Sequence, residues 1–133
     1  MLYSNQEAFD LVVEKLVAQG EPSMQGESCV YLDSKGNRCA VGHLVPDDLI
    51  SKVANVGCGW NIIYIDVPET QEIANPKFVI ALQEAHDTTA LNPGRYYNWR
   101  TGWVSKMRAV ATTNNLDRTK LEEQATEEWQ NNS

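Results

Sequence analysis

The chain reads as an α+β protein, a compact single domain of four to five helices around a short antiparallel β-hairpin. Three observations predict this. Apolar residues recur at helical spacing in several separate windows. Two short β-prone runs, 29–32 and 38–41, flank the turn-forming stretch Asp33-Ser34-Lys35-Gly36-Asn37. The length of 133 residues suits one domain with a real core. Residues 1–116 form its body, and 117–133 form an acidic C-terminal helix or tail of the same domain.

Ser4-Asn5-Gln6-Glu7 is a capping box, and Phe9, Val12, Val13, Leu16 and Val17 continue it as an amphipathic helix over 5–19. Gly20 and Pro22 stop it. The polar stretch 21–28 is a loop before the hairpin. If Leu32 pairs with Gly36, Cys29 faces Cys39. If Leu32 pairs with Asn37, the two thiols face opposite sides. Pro46-Asp47-Asp48 opens a second helix, with Leu49, Ile50, Val53 and Val56 as its apolar face and Gly57 at its end. Ile62-Ile63-Tyr64-Ile65 is β-branched and aromatic and predicts an extended segment. A loop over 68–75 leads to a third helix that starts at Pro76 and carries Phe78, Val79, Leu82, Ala85 and His86 on one face. Leu91-Asn92-Pro93-Gly94 is a turn. Trp99, Trp103, Met107 and Val110 predict a fourth helix over 97–113, and Thr119 to Glu122 is a second capping box that opens the terminal helix. Gly42 is expected to serve tight packing or a positive φ.

The predicted core includes Phe9, Val13, Leu16, Val30, Cys39, Leu49, Val53, Leu82, His86, Trp103 and Met107. No run approaches the length of a membrane span, and the N-terminus has no cationic leader, so a cytoplasmic location without membrane contact is expected. Three cysteines cannot all pair, which favours free thiols or metal ligands over a disulfide framework.

The net charge of −7 argues against a classical nucleic-acid or membrane-surface protein, which would be basic overall. Yet residues 88–116 contain no acid and four bases, Arg95, Arg100, Lys106 and Arg108. Interleaved with Tyr96, Tyr97, Trp99 and Trp103, these cations suit a protein-binding face or a grip on single-stranded nucleic acid. The simplest alternative is internal pairing with acids of the tail or of the second helix. The acid pairs Asp47-Asp48, Glu122-Glu123 and Glu127-Glu128 also admit imitation of a phosphate backbone.

Two further constellations carry chemistry. Cys29, Cys39, His43 and His86 have the donor types of a tetrahedral zinc site, at a spacing that matches no standard finger. Cys39 with His86-Asp87 has the residue types of a thiol nucleophile, a base and an orienting carboxylate, although neighbours on a helix point about 100° apart. Against both stands a structural His86 bonded to backbone or hairpin groups, with the cysteines as small buried apolar residues. There is no phosphate-binding glycine loop, no Gly-x-Ser-x-Gly and no His-Glu-x-x-His.

Cys29-x-Tyr31, Gly36, Arg38-Cys39-Ala40-Val41-Gly42 and Leu44-x-Pro46-Asp47 resemble the motif of a family of small phage, prophage and bacterial proteins. In that family the motif follows an amphipathic helix. A His-Asp pair, matched by His86-Asp87, and a Trp-containing helix come later. The likeness covers residues 5–48 well and 78–112 loosely. Where the family often has Cys, this chain has His43, an exchange that a metal ligand tolerates and that a surface position tolerates equally. The resemblance implies no catalytic role. It implies an accessory protein that binds a host protein and modulates or inhibits it, for host takeover or against host defence, in the host cytoplasm. The alternatives are a thiol- or zinc-dependent enzyme centred on Cys39 and His86, and a nucleic-acid binder using 95–108.

Overall fold

The N-terminal helix forms as its sequence dictates. In α1 (Asn5–Gln19) the Ser4 hydroxyl accepts the Glu7 N–H at 3.1 Å, and the Glu7 carboxylate accepts the Ser4 N–H at 3.0 Å. Gly20 ends the helix at φ 80°, a left-handed conformation that costs only glycine nothing. Ala8, Phe9, Val12, Val13 and Leu16 form its buried face.

The computed structural model describes residues 1–56, 60–91 and 98–132, with backbone alone at 61, 62 and 64. The expected end of the second helix at Gly57, the thiol of Cys58 and the turn at 92–94 lie outside the described residues, as do Arg95, Tyr96 and Tyr97.

After α1 the hairpin appears earlier than its β-prone runs suggest. Strands β1 (Met24–Gln25) and β2 (Ser28–Cys29) pair antiparallel, with Met24 opposite Cys29 and Gln25 opposite Ser28. Neither expected register of the longer hairpin forms. Leu32 meets Arg38 in an isolated bridge, and the ladder stops there. It stops because the expected strand 38–41 instead runs into the helix α2 (Ala40–Leu44). Cys39 is its N-cap, and the thiol sulfur accepts the Gly42 N–H at 3.3 Å. The Asp33 carboxylate closes the connecting loop by accepting the Lys35 and Asn37 N–H groups, each at 2.9 Å. Gly42 is helical and serves packing: a Cβ there would run into the Tyr31 carbonyl oxygen and the Arg38 Cβ.

A turn at Pro46 leads into α3 (Ile50–Val56). The segment expected to be extended is instead α4 (Trp60–Asp66). Burial decides the matter: Trp60, Ile63 and Val67 recur at helical spacing and are at most 4% exposed. A 3-10 turn, η1 (Pro68–Glu72), precedes the long helix α5 (Pro76–Leu91). Helix α6 (Trp99–Thr113) packs along α5, capped by the Asn98 side chain on the Thr101 N–H at 2.8 Å.

The C-terminal segment is two helices, α7 (Thr119–Gln124) and α8 (Glu127–Asn131), split where Thr126 caps the second. The expected capping box at Thr119 does not form: Arg118 is the N-cap and makes no side-chain cap bond, while the Asp117 carboxylate accepts the Thr119 N–H at 2.7 Å. The segment is docked against the body. Leu121 is wholly buried, α7 packs on α1, and the Trp129 indole N–H donates to the Val17 carbonyl at 3.1 Å.

The architecture is thus an α+β single domain, with its helices shorter and more finely divided than expected. Its one core joins α1, α2, α4, α5, α6 and α7. Of the predicted core, Val30 and Leu49 are half-buried and the other residues are buried. No helix among the described residues is long and apolar enough to cross a membrane.

Candidate functional site

Helix α5 carries His86 on its buried face and Asp87 beside it, and β2 brings Cys29 against them. The ligand atoms of Cys29, His86 and Asp87 lie within 4.8 Å of one another. The imidazole is wholly buried. Its Nε2 accepts the backbone N–H of Ser23 at 3.1 Å, and its Nδ1 lies 2.8 Å from an Asp87 carboxylate oxygen. An amide N–H can only donate, so Nε2 carries the lone pair and Nδ1–H donates to Asp87. Adjacency on the helix does not keep the pair apart, contrary to the geometric expectation for neighbours.

The same Asp87 oxygen accepts from the Gln83 side-chain amide at 2.7 Å, and the Gln83 oxygen in turn accepts the Val41 N–H at 2.9 Å. Gln83 therefore ties the start of α2 to the histidine network. The Trp99 indole donates to the His86 carbonyl at 3.3 Å, and its ring meets the imidazole edge-on at 5.8 Å.

The expected donor set divides. Cys29 and His86 come together, joined by Asp87. Cys39 is spent on capping α2. His43 lies on the other side of α2, where its Nε2 is 2.7 Å from the Gln19 side-chain oxygen. Both thiols resist ionisation. Burial first, then the Asp87 charge, pushes Cys29 up to about 12. Burial does the same for Cys39, against the Gly42 N–H bond that partly offsets it, and it too reaches about 12. The thiolate is the nucleophilic and metal-binding form, and neither cysteine supplies it near neutral pH.

Tetrahedral zinc would hold its donors roughly 3.3–3.8 Å apart, so the 2.8 Å contact between His86 Nδ1 and Asp87 would have to open. Ligation through Nδ1 would also leave a proton on Nε2 facing the Ser23 N–H. The donor chemistry suits zinc, while the hydrogen bonds suit the metal-free arrangement.

The basic, aromatic helix is largely turned to internal use. Arg108 forms a two-point ion pair with Glu122 of α7 at 2.8 and 3.1 Å. Arg100 donates to the Gly20 carbonyl at 2.9 Å and the Trp129 carbonyl at 2.8 Å, and its guanidinium lies 4.8 Å from the Trp129 ring centre. Trp99 stacks on Trp103 at 5.5 Å. Lys106 lines a groove of about 240 Å³ between α5 and α6, with Glu84, Ala81, Ala85 and Val110.

Ser23, Gln19 and Gln83 escaped sequence reasoning. Gln83 left a signal, since it precedes Asp87 by one helical turn. Ser23 and Gln19 left none.

His43 makes the stability of the fold sensitive to acid. Burial, then the Arg38 and Lys15 cations and His86, pushes its ring from 6.5 down to about 4. The unfolded chain therefore takes up the proton first as pH falls. The stability held above pH 6.5 should drain away between about 6.5 and about 4, by roughly 1–3 kcal/mol. Urea unfolding of the protein and of His43→Gln at about pH 7 and about pH 5 checks this. The variant should lose most of the slope in that window. Equal slopes would assign it to other groups.

Compared with known proteins, the chain matches no family model, no curated protein and no solved structure.

Proposed function

We propose that the chain is a small non-catalytic accessory protein that binds a host protein and modulates or inhibits it, as its resemblance to phage proteins implies. The observation that carries this reading is the closure of the Cys29–His86–Asp87 network. Each group that covalent chemistry would need is already engaged. His86 accepts from Ser23 and donates to Asp87, Asp87 also accepts from Gln83, and both thiols stay protonated. Such a protein acts through its surface. Nucleic-acid binding through 95–108 draws less support, because Arg100 and Arg108 are held by carbonyl groups and by Glu122.

The test mixes the full-length protein with a bacterial host lysate. A stoichiometric complex should survive gel filtration, alter the partner's activity, and persist with Cys29→Ser and Cys39→Ala. Turnover by the pure protein that either cysteine variant abolishes would overturn the reading.

The convergence of Cys29, His86 and Asp87 within 4.8 Å favours zinc as a second reading. Elemental analysis decides it. About one zinc per chain, lost in Cys29→Ser, supports it, and metal-free protein of the same stability removes it.

A further inference from the structure

A second polar cluster lies apart from the histidine network, between α1, α2 and the turn after α2. Tyr3, Lys15, Arg38, His43, Pro46 and Asp47 wall a cleft of about 480 Å³. In a chain of net charge −7, two cations, Lys15 and Arg38, share this opening with the neutral His43 ring and with Asp47.

Arg38 is the key group. Its side chain is only 22% exposed, yet its carboxylate partner Asp47, at 3.0 Å, is 93% exposed. A largely buried arginine side chain is thus paired with an acid that stands in solvent. Its other bond, to the Gly42 carbonyl, is long at 3.4 Å. An ion pair with one partner in water is weak and exchanges readily. No carboxylate pairs with Lys15 among the described residues. The His43 ring is fixed by donating Nε2–H to the Gln19 oxygen, which also accepts the Arg38 backbone N–H at 2.9 Å. The low pKa of His43 comes first from burial, and the Arg38 and Lys15 charges add to it.

We propose that this cleft binds a small ligand carrying an oxyanion, phosphate or carboxylate, attached to a flat apolar group. The oxyanion takes the place of Asp47 on the Arg38 fork, whose planar donors match either anion. Lys15 adds a second charge, and Tyr3 and Pro46 offer the apolar wall. Asp47 is then an internal stand-in that the ligand displaces.

The full-length protein is titrated with inorganic phosphate, phenyl phosphate and benzoate, following the NMR shifts of the Arg38 and His43 side chains. At least one probe should saturate those shifts. Saturation by the phosphates alone assigns a phosphate ligand, and by benzoate alone a carboxylate. Asp47→Asn removes the competitor and should tighten binding about three- to fivefold, while Lys15→Gln should weaken it by a similar factor. Both positions are exposed, so the test survives even if Arg38→Gln, expected to abolish binding, fails to fold. No saturation by any probe up to tens of millimolar, or an affinity indifferent to Asp47→Asn, would overturn the proposal.

Discussion

His86→Ala should destabilise the protein by about 3–5 kcal/mol. Three losses combine. The imidazole is wholly buried among Trp99, Ser23 and Asp87, and alanine leaves a cavity in its place. The Ser23 N–H loses its acceptor, and Ser23 is itself wholly buried, so water cannot readily replace the bond. Asp87 loses one of its donors. Small domains have only about 5–15 kcal/mol in total, so the variant should sit near the edge of folding at body temperature. Urea unfolding measures the loss. His86→Phe separates its parts, because it fills the volume but accepts nothing from Ser23. Its cost should be about 2–3 kcal/mol. A Phe variant as stable as the parent would show that the hydrogen bonds contribute nothing.

The same residue shows how far the site was legible. His86 stood out as a polar group on an apolar stripe, and Cys29 as one of four possible metal donors with Cys39, His43 and His86. The Ser23 bond that fixes the His86 ring was not legible, because Ser23 lies 63 residues away and contributes only a backbone N–H. A main-chain donor has no sequence signature. Helices α1 and α5 were readable for the opposite reason: caps, prolines and apolar spacing act within a few residues. Two segments misled. Residues 38–41 carry β-prone types, but a cysteine cap, the Gln83 bond to Val41 and close packing at Gly42 select a helix. Residues 62–65 are β-branched, but the burial of Trp60, Ile63 and Val67 along one side outweighs a propensity worth only tenths of a kcal/mol per residue. The split charge was legible as a question. Half its answer, the Arg108–Glu122 pair, follows from opposite charges in neighbouring helices. The other half, Arg100 on two carbonyl groups, depends on where α1 and α8 end.

Gly42→Ala gives the second large effect, and its sign is the informative part. Gly42 is helical, and glycine-to-alanine inside a helix ordinarily gains about 1 kcal/mol. Here the added methyl would press on the Tyr31 carbonyl oxygen, which is backbone, and on the Arg38 Cβ, which a rotamer change cannot move. Overpacking of this kind costs about 1–3 kcal/mol, and the lack of a flexible neighbour places Gly42 at the upper end. The net expectation is a loss of about 2 kcal/mol. Gly36→Ala is the control. Gly36 stands in open space at φ 86°, so alanine there meets no neighbour and pays only backbone strain of about 1–2 kcal/mol. The two variants should also differ in what moves. Strain at Gly36 stays in its turn, whereas relief at Gly42 must push 31 away from α2. Strand β2 and Arg38 would follow, disturbing the Cys29 cluster and the basic cleft together. Amide NMR shifts spreading to Cys29 and Arg38 in Gly42→Ala but not in Gly36→Ala would establish that link. A Gly42→Ala protein as stable as the parent would mean that the loop yields, and that this close contact does not hold the hairpin against α2.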